Sequence, residues 1–380
     1  MTIDTIRNAT LGDLAEMLKS QQSRKLDVIA PATRLRAERG ILVVEGTEAI
    51  LNEDGVTSAD GRYRPTAVFD EGVAAKLGVP VGYLKRIRAE RSDLYDANVN
   101  GWLRGEANGD FQTYAPDPRS FLVRLFRPDD EGTEGIARAF LSDSYRMIDN
   151  LDVLMAALDG VRTAGVPVDV TSTDLTERRM HVKVQSPAVA ELAPELLANY
   201  RSPFSGNSGS DNPTVFAGFV VSNSEVGGGA FTITPRLVVQ VCSNGMTMTK
   251  DALRSIHLGA KQDDGVVRWS ADTLQANLEL VRNQAKDAVA TFLDPDYLRA
   301  KIGQLTEGAR EAATVKTVET VTKQLSYSAE QTESILDHFV KGGQATLGGV
   351  AQAITSVAQT IEDADVAADM EGHAASLLLG

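Results

Sequence analysis

The stretch AFTITPRLVVQVC, from Ala230 to Cys242, is an unusually long alternating run. Phe231, Ile233, Leu237, Val239 and Val241 fall on one face, with Thr232, Thr234, Arg236 and Gln240 on the other, because successive side chains of an extended strand point to opposite sides. A chain holding such a segment must bury one side of a sheet. Pro235 interrupts the run and suits an edge or a bulge better than a central strand, since proline offers no N–H to the ladder. Just before it, Gly227, Gly228 and Gly229 follow the strand-like VFAGFVVSN. The triplet completes neither G-x-x-x-x-G-K-[ST] nor G-x-G-x-x-G, because Thr232 stands at the last glycine of the second pattern. A strand also follows it, so no helix N-terminus is offered to a phosphate. It reads as the tip of a hairpin.

The pattern elsewhere predicts an α+β fold: an antiparallel sheet with long hairpins packed by helices, a small mixed N-terminal unit and a helical C-terminal region. Residues 1–115 form the mixed unit, where ILVVEG reads as a strand and FDEGVAAKLGVPVGYLKRIRAE as helical pieces broken at Gly78-Val79-Pro80. The break resembles a helix-turn-helix with Tyr83, Lys85 and Arg88 on its second piece; the alternative is plain helix packing. Residues 116–265 form a central β-rich domain that includes a helix with Leu151, Leu154, Leu158 and Val161 at helical spacing. Within it, YRSPFSGNSGSDNP, Tyr200 to Pro213, is expected to be a mobile loop. Residues 266–345 are helical, and residues 346–380 form an Ala-rich acidic tail. The stripe Val350, Ile354, Val357 and Ile361 looks too narrow for a core and suited to a partner helix, so the tail is expected to support assembly into a homo-oligomer.

A formal charge of −14 over 380 residues argues against a wholly basic nucleic-acid coat, although it says nothing of one face. No run approaches the ~20 apolar residues needed to span a bilayer, and the first residues carry no secretory pattern, so no membrane partner is expected. The lone Cys242 excludes an internal disulfide and fits a reducing, cytoplasmic compartment. It reads as a small buried thiol. His181, His257, His338 and His373 are scattered without metal-ligand spacing, and SGNSGS does not satisfy G-x-S-x-G. No catalytic constellation, metal or cofactor is expected on this basis.

What stands out is basic residues on the polar faces of strands. Arg124, Arg179, His181, Lys183 and Arg236 each lie opposite apolar residues on their own strand, Gln240 continues the last of these rows, and KDALRSIHLGAK adds Lys250, Arg254, His257 and Lys261. Arg179, His181 and Lys183 step along one face at about 7 Å, close to the phosphate spacing of an extended strand. Two readings stand side by side: a solvated sheet face, or a groove that follows a phosphate backbone. In the second, Tyr145 and Phe126 could stack bases at the edge, though each also reads as core.

Ser222-Asn223-Ser224, Gly227 to Gly229 and Cys242-Ser243-Asn244-Gly245-Met246 together resemble the phage/plasmid-like family known as domain of unknown function nine-three-two. SYRMIDN, IHLGA and AAKLGVPVGYL are similar to further segments of it, and the resemblance spans roughly the first two-thirds to three-quarters of the chain. Where that family has His after the Ser-Asn-Ser triplet, this chain has Glu225. The resemblance implies a mobile-element origin and host cytoplasm, and it brings no established activity. A looser likeness of layout to single-strand annealing recombinases is architectural analogy. The expectation is therefore a single-stranded DNA binding or annealing protein, working as a homo-oligomer through its basic sheet face. The alternatives are a metal-dependent nucleic-acid-modifying enzyme and a phage structural or host-interaction protein.

Overall fold

The computed structural model describes residues 5–47, 50–52, 55–106, 114–128, 132–145, 148–241, 243–255 and 271–380. Cys242, His257 and Lys261 lie outside the described residues. The chain opens with β1 (Ile6–Ala9), α1 (Leu11–Arg24), β2 (Lys25–Pro31), β3 (Leu35–Glu38), β4 (Ile41–Val44), β5 (Ile50–Asn52), β6 (Gly55–Thr57) and β7 (Gly61–Pro65). Three helices follow, α2 (Ala67–Leu77), α3 (Val81–Glu90) and α4 (Ser92–Arg104), and then β8 (Ser120–Phe126), β9 (Gly135–Ser142) and α5 (Asn150–Ala164). The central strands are β10 (Asp169–Leu175), β11 (Met180–Leu192), β12 (Thr214–Asn223), β13 (Phe231–Val239), β14 (Asn244–Thr247) and β15 (Leu253–Ser255). The chain ends in α6 (Ala271–Phe292), α7 (Pro295–Ala309), α8 (Val315–Gln324), α9 (Ala329–Gly342), α10 (Leu347–Ala358) and α11 (Ala364–Leu379).

The architecture is α+β, built on two main sheets. Sheet A runs β1-β10-β11-β12-β13-β14 with β15 also on β13, and all its pairings are antiparallel. Sheet B runs β2-β8-β9-β7-β4-β3 and is mixed, because β7 and β9 pair in parallel. The alternating run becomes β13. Its outer side is shared by β14, which pairs from Arg236, and β15, which ends at Ile233, so Pro235 falls in the gap between two partners. One core gathers the apolar face of sheet A with α1, α5, α6, α7, α10 and α11, and another gathers sheet B with α2, α3 and α4. Among the described residues, no helix is long and apolar enough to cross a membrane.

Local chemistry sets the ends of these elements. Thr10 and Asp13 close a capping box on α1, and Asp294 caps α7 with Pro295 in its first turn. Gly78 ends α2 in the left-handed region at φ 69°, and Pro80 leads into α3. Lys85 and Arg88 of α3 are tied back into this unit, while Arg86 pairs with Glu90 of its own helix. Lys85 bonds Glu71 at 2.6 Å, and Arg88 bonds the fully buried Asp70 at 2.6 Å. Tyr83 remains exposed.

The C-terminal segment departs from expectation. Every residue of α10 from Gly348 to Ala358 is buried, so the stripe expected to meet a partner subunit is enclosed by the chain's own α7, α9, α11 and β14. Small residues allow this. A Cβ on Gly349 would lie 1.8 Å from the Gln344 carbonyl, and one on Gly308 of α7 would lie 1.8 Å from the Leu378 carbonyl of α11. A helix apolar or small all round is a core helix. The Tyr200–Pro213 segment is also fastened: Tyr200 is buried, Arg201 N–H donates to the Gly342 carbonyl, and Arg201 bridges to Ser208.

Candidate functional site

The eight basic or polar residues expected to form one face are not brought together. Arg124 is fully buried, because the second face of sheet B docks against the rest of the molecule instead of facing water. Its guanidinium meets Asp27 at 3.0 and 2.9 Å, Asp149 at 2.8 Å and Glu225 at 2.9 Å. Burial alone would depress its pKa, but those carboxylates hold it above the usual value. Phe126 is core beneath the Arg24 and Arg138 guanidinium groups, and Tyr145 packs on the Leu122, Leu141 and Val226 cluster. Neither is placed to stack a base. Gln240 lies exposed just beyond β13, and Lys250 bonds the Gly380 carbonyl, so neither lines the cleft described below.

Arg179, His181, Lys183 and Arg254 do converge. They line a cleft of about 290 Å³ between the polar face of sheet A and α11, with Ser222, Thr232, Thr234, Thr247 and Thr249 supplying hydroxyls. The strands dictate this: His181 pairs with Ser222, Lys183 with Val220, and Thr232 with Arg254, so same-face side chains project together. The triglycine has a local task here. Arg179 Nε donates to the Gly228 carbonyl at 2.8 Å, and a Cβ on Gly229, at φ 154°, would lie 3.3 Å from that nitrogen. The hairpin tip thus seats an arginine.

The expectation of a solvated or open basic face fails because α11 covers much of it with carboxylates. Arg236 is buried and pairs with Glu371 through two bonds of 2.9 Å; Lys183, also buried, stands 3.6 Å from Glu371 and 3.6 Å from Asp174. Burial pushes the Glu371 carboxyl up, yet Arg236 and Lys183 hold it below the ordinary range. His181 is held between Ser222 Oγ, 2.8 Å from Nδ1, and Asp365 Oδ1, 2.9 Å from Nε2. Arg179 is half-buried, 4.0 Å from Asp369, and Arg254 is exposed at the mouth. The Tyr200–Pro213 segment contributes no residue to the lining of the cleft.

Thr232 and Thr234 were legible as neighbours of Arg236 on one face. Asp365 and Glu371 were not, because they arrive from a helix far along the chain whose acids look like ordinary solvation. A second observation concerns SNSEVGGG. Asn223 bonds Asn150 and the Ile148 carbonyl, Glu225 bonds Arg124, Arg138 and Asn150, and Gly227 admits Leu141. This segment is the joint between the two cores. Among the described residues, no group of His, Cys, Asp and Glu is arranged to hold a metal ion. Comparison with protein-family models, curated proteins and solved structures returned no match to this chain.

Proposed function

We propose that the protein binds single-stranded nucleic acid, in the host cytoplasm of a mobile element, by taking one phosphate-bearing unit of the strand into the cleft beneath α11. The observation that carries this reading is the convergence of Arg179, Lys183 and Arg254 with a row of threonine hydroxyls in a cavity of about 290 Å³. That volume lies at the lower end of small-molecule sites, enough for one nucleotide-sized group and too small for a continuous track. Hydroxyls and guanidinium groups are the donors that phosphate oxygens accept. The chain's net charge of −14 disfavours non-specific attraction of a polyanion, so binding rests on local cations such as these.

The ion pairs set the strength. Glu371 and Asp174 already compensate Lys183, whereas Asp369 stands only at a loose 4.0 Å from Arg179, so Arg179 and Arg254 are the cations best placed to meet a phosphate. A nucleotide within a strand has a phosphate on either side, and two such contacts on a single strand give a slope of log K against log salt of about −1.4. Anisotropy titrations of a labelled single-stranded oligonucleotide at several salt concentrations should therefore show a shallow slope. Arg254→Ala should weaken binding about tenfold and flatten the slope by somewhat under one unit. Absence of binding at low salt, or a slope several times steeper, would refute the proposal.

A further inference from the structure

The cleft floor holds an arrangement that no pattern in the sequence announces. Ser222 on β12, His181 on β11 and Asp365 in the first turn of α11 form a continuous chain of hydrogen bonds, with Ser222 Oγ 2.8 Å from His181 Nδ1 and Asp365 Oδ1 2.9 Å from His181 Nε2. We infer that this is a nucleophile, base and orienting-acid triad, and that the cleft carries an esterase activity toward small esters bearing an anionic group. The inference stands on these contacts and does not depend on nucleic acid being a ligand.

The tautomer follows from the partners. Asp365 is oriented on its other oxygen by the Thr176 hydroxyl at 2.7 Å, and it sits at the positive end of the α11 dipole. Burial raises its carboxyl, but the bonds from His181 and Thr176 hold it below the ordinary value, so it is ionised and only accepts. In the neutral imidazole, His181 Nε2 must then carry the proton. Its Nδ1 is left with a lone pair aimed at Ser222 Oγ, which donates to it. This is the relation that activates a serine, with the two ring nitrogens exchanged relative to the familiar triad, in which Nε2 faces the nucleophile and Nδ1 the acid. Ser222 and His181 both line the cleft, so a substrate can reach them. Arg179 and Arg254, which line the same cleft, offer positive charge to an anionic substituent.

The chemistry balances with water as the only co-reactant. Ser222 Oγ bonds to the acyl carbon as its proton passes to His181 Nδ1, and Asp365 stabilises the imidazolium. The ester C–O bond then breaks, and His181 returns the proton to the departing alkoxide. Water attacks the acyl-serine with His181 again taking its proton, the acid leaves, and Ser222 recovers its hydrogen.

A neutral fluorophosphonate tests the nucleophile directly. The full chain should take up one equivalent, and peptide mapping by mass spectrometry should place the adduct on Ser222 itself, which needs no variant to fold. Ser222→Ala should lose the adduct, and His181→Gln should slow labelling by about 10²- to 10⁴-fold, with thermal melting confirming that each remains folded. Asp365 acts by positioning His181: Asp365→Asn should slow labelling and Asp365→Glu should restore part of the rate. With p-nitrophenyl esters, the anionic hemisuccinate should exceed the acetate in kcat/KM, and Arg254→Ala should shrink that preference. No adduct on the parent chain, or an adduct mapped elsewhere that survives Ser222→Ala, overturns the inference.

Discussion

Arg236 shows how a single position changes meaning once its surroundings are known. From strand alternation it is a cation facing away from the core, and replacing it with Glu, together with Arg179 and Lys183, is expected to leave stability nearly unchanged. In the folded chain it is buried against Glu371, and its guanidinium lies over Gly245, where a Cβ would come within 2.0 Å of Nη2. Reversing its charge would set two carboxylates together in a dry site. Breaking a buried pair from one side costs about 3–5 kcal/mol, because the remaining charge is left uncompensated. Arg236→Glu should therefore lower the urea midpoint sharply, whereas Arg254→Glu at the exposed mouth should move it little. Equal midpoints for the two variants would mean that the pair with Glu371 is not closed in solution.

Among the elements, α10 and α11 carry the largest consequence. Val350, Ile354, Val357, Met370, Ala374 and Leu378 are all nearly or fully buried in the main core, and α11 also contributes Asp365 and Glu371 to the cleft. Fully burying a Val, Leu, Ile or Met side chain is worth about 1.5–3 kcal/mol. Losing the five such side chains at once, about 7.5–15 kcal/mol, is as large as the whole ~5–15 kcal/mol by which a domain is stable. A chain truncated before Leu347 should be insoluble or lack a cooperative melt, in contrast to the folded, smaller assembly expected when the segment is read as an oligomerisation tail. A soluble truncated protein with an unchanged melting temperature would contradict the packing.

For the whole molecule, the decisive feature is the ion cluster around the buried Arg124, Arg138 and Glu225 that joins the two cores. Arg124, Asp27, Asp149, Lys25, Arg138 and Glu225 come from β8, β2, the start of α5, β9 and the β12–β13 connection. Burial would raise the Asp149 carboxyl, but Arg124 and Lys25 hold it well below the ordinary carboxylate value. A carboxyl whose folded pKa is depressed contributes stability that is fully present above its unfolded value near 3.9 and is lost as pH falls through the folded value. The docking of the two units should thus weaken on acidification below about pH 4 and not on alkalinisation. Hydrogen exchange at pH 7 and pH 3.5, corrected for intrinsic rates, should show protection at β8 and the β12–β13 connection falling at the lower pH. Protection that stays constant would remove Asp149 from the account.

Several features were legible in the chain alone because they depend only on local periodicity. The strand at Phe231–Val239, the break at Gly78, the hairpin at the triglycine and the helical character after Ala271 follow from alternation, helical spacing and turn chemistry within a few residues. So did the alignment of Arg179, His181 and Lys183 on one face, since alternation survives in any sheet. What periodicity cannot say is what lies across that face. Water and a buried carboxylate both satisfy a lysine or an arginine, and the choice was made by Asp365 and Glu371, brought from the far end of the chain. The fate of Arg124 was decided in the same way by Asp27, Asp149 and Glu225. The burial of α10 rested on Gly and Ala, which carry no strong hydropathy signal and reveal themselves only by how closely other backbones approach. The triad belongs to this second class: Ser222 and His181 are cross-strand neighbours fixed by the β11–β12 register, and Asp365 meets them only because the packing of α10 and α11 closes the sheet.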